Sequence, residues 1–360
     1  MSNAAANETY LDKSSPPRSG EELDLGKLHA YLTANLPDLS GELTVEQFPS
    51  GYSNLTYLLR VGERDLVLRR PPFGSKVKSA HDMGREFRVL QALHPIYPPA
   101  PKPLLFCEDL EVMGAQFYVM DRIKGIILRG KRPAGFETTP ELTRATCEAL
   151  VDNLAALHAL DYEAAGLGHM RKEGSYVERQ VKGWVERYFG SKTDDIPAIE
   201  DTAKWLQENY PADSGAVLVH NDYKFDNVML APDDLTRIIG VLDWEMCTIG
   251  DPLMDLGTAL GYWMEPSDPS MGVVQCFLTT APGALTRREF AERYALKTGR
   301  DIANINFYYI FALFKLAVIV QQIYYRYKQG LTKDDRFAPL IFMVGALGMK
   351  ATEVIETGKI

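Results

Sequence analysis

The run His220-Asn221-Asp222-Tyr223-Lys224-Phe225-Asp226-Asn227 lies between short apolar segments, and this placement constrains the chain more than any other feature. Residues 216–219 read as a strand entering the run and 228–230 as a strand leaving it. Pro232-Asp233-Asp234 reads as a turn, and 238–242 as a returning strand that ends at Asp243. The hairpin sets Asn227, before one strand, beside Asp243, after the other. Two oxygen-bearing side chains at one end of a hairpin can share a hard cation such as Mg²⁺. Asp222, a few residues upstream, can accept a proton from a substrate hydroxyl, and Lys224 can neutralise phosphate charge. Taken alone, the loop is equally well a polar turn between strands.

The rest of the chain frames that loop. Its 360 residues fit one large domain or two lobes sharing a cleft. Residues 1–22 read as a flexible tail without a signal pattern. Residues 43–48, 54–61 and 65–70 are β-rich, and Met83, Phe87 and Leu90 recur at helical spacing within 78–93. The prolines at 95, 98, 99, 101 and 103 enforce an extended crossing, and 117–120 reads as a further strand. From residue 140 helical patterns dominate, with Leu150, Leu154 and Leu157 on one face of 141–159. The expectation is an α+β chain: a strand-rich N-lobe over 23–121 and a larger, mostly helical C-lobe over 122–360.

Composition excludes several classes. Lys and Arg total 39 against 48 Asp and Glu, a formal charge of −9. This removes the electrostatic basis for generic binding to nucleic acid or to an anionic membrane. Residues 305–320 form the most apolar stretch, but Lys315 interrupts it, so a buried helix is expected and not a membrane span. The four cysteines show no CxxC spacing, which argues against a disulfide framework or zinc site and suits a reducing cytoplasm. Neither GxxxxGK[ST] nor GxGxxG occurs.

The set H-x-D-x-K-x-x-N, a hairpin and then Asp243 resembles the catalytic loop of kinases. Leu242-Asp243-Trp244-Glu245, the run Gly250-Asp251-Pro252-Leu253-Met254-Asp255-Leu256 and the lack of an Ala-Pro-Glu segment are similar to the aminoglycoside phosphotransferase and choline kinase superfamily. Ser53-Asn54-Leu55-Thr56-Tyr57, Arg85-Glu86 and Leu157-His158-Ala159-Leu160-Asp161 resemble, more narrowly, the phosphotransferase-like domain fused to acyl-CoA dehydrogenases. The resemblance implies a two-lobed, protein-kinase-like fold with a small antiparallel-sheet N-lobe. It also implies ATP and Mg²⁺ as cofactors. Asp222 would then be the base, Lys224 a γ-phosphate contact, His220 the group orienting the loop, and Asn227 and Asp243 the Mg²⁺ ligands. Asp251 and Asp255 would brace the loop after the metal site, although Asp251 is as well placed to cap a helix starting near Pro252.

On the nucleotide side the chain departs from the kinase pattern. The turn Ser50-Gly51-Tyr52-Ser53-Asn54 has one glycine, with Ser53 and Asn54 as candidate phosphate contacts. Val67-Leu68-Arg69 stands where a strand lysine is expected, so Arg69 would meet phosphate. Strand alternation sends Arg70 to the other face. Glu86 falls on the apolar stripe of its helix, where a carboxylate needs a cation, and Arg69 is the expected partner. Met120, Asp121 and Arg122 would form the hinge whose backbone meets adenine.

The resemblance implies a small-molecule hydroxyl as the acceptor. Residues 171–187 hold five basic side chains (Arg171, Lys172, Arg179, Lys182 and Arg187) against three glutamates, which suits an anionic acceptor better than a polycation. A solvated amphipathic helix explains the same charges. The family likeness favours a hydroxyacyl-CoA-type acceptor. Alternatives are an aminoglycoside, choline-like or sugar substrate, a non-catalytic nucleotide-binding pseudokinase module, and a metal-dependent phosphatase.

Overall fold

The protein is described here from a computed structural model, covering residues 8–49, 54–73, 82–268, 276–332 and 334–360. Ser53 and residues 50–52 of the expected phosphate turn lie outside the described residues, as do 78–81 of the expected helix over 78–93. The first elements are α1 (Leu25–Asn35), β1 (Leu43–Gln47), β2 (Leu55–Val61), β3 (Arg64–Arg70), α2 (Met83–Leu93), β4 (Pro103–Cys107), α3 (Leu110–Met113) and β5 (Phe117–Asp121). Then come α4 (Pro140–His158), α5 (Tyr176–Ser191), α6 (Pro197–Asn209), β6 (Val217–Val219), β7 (Val228–Ala231), β8 (Asp234–Val241) and β9 (Thr248–Gly250). The chain closes with α7 (Pro252–Gly261), α8 (Arg287–Thr298), α9 (Ile305–Lys328) and α10 (Leu340–Thr357).

The chain divides into two compact units. The first comprises Met1–Ile127, Ala165–Leu167 and Asn227–Met246, so the β7–β8 hairpin belongs with the N-terminal sheet although it lies far along the chain. Its five strands run antiparallel in the order β1-β2-β3-β5-β4. Leu28 and Leu32 of α1 pack with Tyr57, Leu59, Leu66, Leu68 and Val119 from one face of that sheet. The hairpin joins the unit through backbone bonds: Ile126 and Leu230 exchange them, and Val241 N donates to Pro99 O at 2.8 Å.

Two elements depart from the sequence reading. Part of the proline-rich crossing is a strand, β4, paired with β5 and carrying a register shift between Pro103 and Leu105. Pro103 is its first residue, a position where a missing N–H is tolerated. The apolar helix expected over 305–320 continues to Lys328. Gln321 does not end it, because its amide donates to Ser191 O at 2.8 Å and Thr193 Oγ1 at 2.9 Å.

The second unit comprises Leu128–Ala164, Gly168–Asp226 and Cys247–Ile360. Helix α9 runs through it against α5, α6, α7 and α10. By length and composition, Ile305–Lys328 and Asp335–Thr357 are each apolar enough to cross a bilayer, and the former is mostly buried within the protein. Gly257 on α7 lets α7 and α9 meet closely, since a Cβ there would stand 2.5 Å from the Tyr308 carbonyl oxygen. Short β6 pairs with β9, which places the segment after β6, residues 220–226, beside the start of α7.

Candidate active site

In the first unit, β3, α2 and the end of the hairpin converge on one guanidinium. Arg69 Nη1 lies 3.0 Å from Glu86 Oε1, and Arg69 Nη2 lies 3.0 Å from Asp243 Oδ1. The pairing follows from local periodicity. Arg69 alternates with Arg70 along β3, and Arg70 Nη1 goes to Met113 O with its guanidinium 3.7 Å above the Phe73 ring centroid. Glu86 is 1% exposed among Met83, Phe87 and Leu90, and its Oε1 also accepts from Trp244 N at 3.2 Å. Complete burial pushes the Glu86 carboxyl up against the pull of Arg69, and Asp243 adds to the rise. Arg69 stays firmly cationic: Glu86 and Asp243 outweigh its desolvation. Arg69 Nε is buried with no hydrogen-bond partner among the described residues.

Asn227 and Asp243 flank the hairpin, and Leu242 N donates to Asn227 O at 2.8 Å, so both reach the same end of it. Asp243 takes a left-handed φ of 66°, uncommon for a non-glycine residue. Asn54 is buried, with Nδ2 donating to Glu245 Oε2 at 2.8 Å, and Arg85 Nη1 donates to Glu245 O at 2.7 Å. Sequence reasoning had no signal for Glu245 beyond its place two residues after Asp243.

Met120 lies opposite Val67 and Asp121 closes the ladder opposite Leu66, while the Asp121 carboxylate pairs with Arg64 at 2.9 Å and Arg122 pairs with Asp65 at 3.1 Å. The N–H groups of Asp121 and Arg122 donate to Lys102 O and Asp65 O. An adenine edge would therefore have to meet other backbone groups of this segment.

In the second unit, the loop after β6 is held by side chains from α4, α5, α7 and α9. Asp222 receives Lys224 Nζ at 2.8 Å and 2.9 Å, one distance for each carboxylate oxygen. His220 is fully buried, and its Nδ1 accepts from Asp222 N at 3.3 Å. Asp255 accepts from His220 N and Asn221 N, both at 2.7 Å, and from His158 Nε2 at 3.1 Å. Burial alone would raise the Asp255 carboxyl, but His158 and His220 hold it below its usual value. Asp255 thus braces the loop before the hairpin, where the sequence reading placed its support after the metal site. Asp251 caps α7, accepting from Leu253 N and Met254 N, and also accepts from Ser214 N.

Close by, a cavity of about 210 Å³ is lined by Lys224, Asp226, Tyr262, Trp263, Phe290 and Leu347, among others. Burial pushes the Asp226 carboxyl up, opposed by Lys224 and Arg129. Along the basic segment, Arg179 Nη1 donates to the carbonyls of Glu173 and Gly174, and Arg187 stacks 4.7 Å from the Trp184 ring centroid.

Comparison with known proteins places this geometry. The model of the phosphotransferase enzyme family matches residues 44–290. Acyl-CoA dehydrogenase family member 11 of Rattus norvegicus is 37% identical over 321 residues, covering 87% of this chain and 41% of the relative. The chain therefore spans less than half the length of that relative. A solved Ralstonia eutropha protein assigned to the aminoglycoside phosphotransferases is 31% identical with a TM-score of 0.77, covering 92% of this chain and 99% of its own. A thermostable aminoglycoside phosphotransferase, solved in ternary complex with AMP-PNP and hygromycin B, shares the fold at 18% identity and a TM-score of 0.58, covering 90% and 98%.

Proposed function

Because the chain belongs to the phosphotransferase enzyme family, we propose that it moves the γ-phosphoryl group of ATP to a hydroxyl of a small molecule, with Mg²⁺. The observation that carries this reading is the Asp222–Lys224 pair in a loop whose backbone is fixed by His220 and Asp255. A carboxylate held in place beside a cation is what a hydroxyl needs as it attacks phosphorus. The P–O bond to ADP breaks, a P–O bond to the acceptor forms, and the acceptor proton passes to Asp222.

Asn227 and Asp243 offer an oxygen-only donor pair, which suits Mg²⁺ and not a nitrogen- or sulfur-seeking metal. Among the described residues no group of three or more His, Cys, Asp or Glu could hold a metal, so nucleotide oxygens and water would complete the shell. Mg²⁺ would supply charge neutralisation on the phosphates. Arg69, whose Nε has no partner among the described residues, would share that task.

The cavity beside Lys224 and Asp226 offers space for the acceptor. Likeness to a member of the acyl-CoA dehydrogenase family favours a hydroxyacyl-CoA-type substrate, and the cysteines' lack of CxxC spacing favours the cytoplasm as the compartment. One observation favours a second reading, a non-catalytic nucleotide-holding module: Arg69 already bonds Asp243. A radiolabelled-ATP assay, with water and with hydroxyacyl-CoA esters as acceptors, separates the two. Asp222→Asn should lower turnover by roughly 10²–10⁴-fold while leaving Mg·ATP binding in place. Turnover equal in wild type and Asp222→Asn refutes the catalytic reading.

A further inference from the structure

Lys315 is 4% exposed in the middle of α9, in a stretch otherwise apolar from Phe307 to Val320. Lysine is almost never fully buried unless it is paired. Its hydrogen bond is to a backbone group: Nζ donates to the carbonyl oxygen of Asn221 at 2.9 Å. The Trp184 ring centroid lies 5.7 Å away. Burial draws the Lys315 ammonium down, Asp222 and Asp255 draw it back up, and Lys224 and Arg187 oppose them.

The Asn221 carbonyl belongs to the peptide group that joins Asn221 to Asp222. The N–H of that same peptide donates to His220 Nδ1 at 3.3 Å. One peptide plane is therefore held on both edges, by Lys315 on one and His220 on the other. Asn221 is further fixed through its own N–H by Asp255 and through Oδ1 by the Tyr176 hydroxyl at 3.0 Å. These contacts hold Asn221 at φ 66°, a left-handed conformation that is uncommon for non-glycine residues and that asparagine tolerates better than most. If the carbonyl were released, the plane could rotate and swing the Asp222 side chain with it.

We propose that Lys315 is a positioning residue for Asp222: from α9 it locks the 221–222 peptide plane and so fixes the direction in which the Asp222 carboxylate meets the acceptor hydroxyl. This rests on the phosphotransferase reading above. An apolar side chain would fill the same space in α9 without holding the plane. A cation holds it more tightly than a neutral donor, because charge-assisted hydrogen bonds are the stronger kind.

The test compares Lys315→Met, Lys315→Gln and Lys315→Arg in the full chain, with Mg·ATP as substrate and water or the best acceptor found. The expected result for Lys315→Met is a kcat lower by roughly 100-fold, with the KM for ATP unchanged within about twofold. Lys315→Arg should recover at least about tenfold of that loss, and Lys315→Gln should lie between. Amide hydrogen exchange at Asn221 and Asp222 should quicken in Lys315→Met and be restored in Lys315→Arg. A folded Lys315→Met with wild-type kcat, or one whose kcat and KM fail together without rescue by arginine, overturns the proposal. If Lys315→Met does not fold, Lys315→Gln takes its place, and wild-type kcat there overturns it equally. Wild-type turnover insensitive to Asp222→Asn refutes the phosphotransferase reading instead. Amide exchange then decides the clamp alone, and unchanged exchange at Asn221 and Asp222 in Lys315→Gln overturns it.

Discussion

Arg69 Nη2 donates to Asp243 Oδ1 at 3.0 Å while Nη1 of the same guanidinium stands 3.0 Å from Glu86 Oε1. A planar fork can meet two carboxylates at once; a lysine ammonium in this place would be a point charge on a movable stem. The arginine therefore ties α2 to the hairpin end, besides the phosphate contact proposed for it. Structure and chemistry share one side chain here, and the two roles can be pulled apart.

Arg69→Met leaves Glu86 buried without its cation and should cost about 3–5 kcal/mol of stability, measured by urea denaturation. The double variant Arg69→Met/Glu86→Leu should recover most of that loss. A double variant as unstable as the single one would show that the carboxylate is not what the arginine neutralises.

Asp243→Asn removes the negative charge from the donor pair expected to hold Mg²⁺ and leaves two neutral amide oxygens. ATP should raise the melting temperature of wild type only when Mg²⁺ is present, and this increment should vanish in Asp243→Asn. An equal Mg²⁺-dependent increment in both proteins would rule out Asp243 as a ligand.

The Asp255 carboxyl is held below its usual value, near 3.8, so it stabilises the fold above that pH. The contribution is lost as pH falls through the lower value of the folded state. Asp255→Asn keeps one acceptor of two and should lower stability at neutral pH by roughly 1.5–3 kcal/mol. Its stability should also decline less steeply than wild type below pH 4. Parallel acid denaturation curves would contradict this.

Gly257→Ala inserts a methyl 2.5 Å from the Tyr308 carbonyl oxygen, in the contact between the helix carrying Asp255 and the helix carrying Lys315. The expected loss is about 1–3 kcal/mol, read by thermal denaturation. An unchanged melting temperature would mean that the α7–α9 contact adapts freely.

The two carboxylates around Arg69 differ in how readable they were. The Glu86 partnership follows from strand alternation at Arg69 and Arg70 and from the 3.6-residue stripe of Met83, Phe87 and Leu90, all local properties. Asn54 was read as a phosphate contact, yet its amide meets Glu245 across 191 residues of sequence, a contact with no local signature. Lys315 was read only as an interruption of an apolar stretch.

By itself the sequence determined the hairpin that joins Asn227 to Asp243, the order of groups in the loop, and the division into a strand-rich first part and a helical remainder. Each of these depends on periodicity and turn chemistry within a few residues. Only the tertiary structure decided what holds the loop. Asp255 reaches Asn221 across 34 residues and Lys315 reaches it across 94, on helices brought together where Gly257 has no side chain. Helix periodicity tells which face is buried; which buried polar group meets which backbone atom is set when the helices pack.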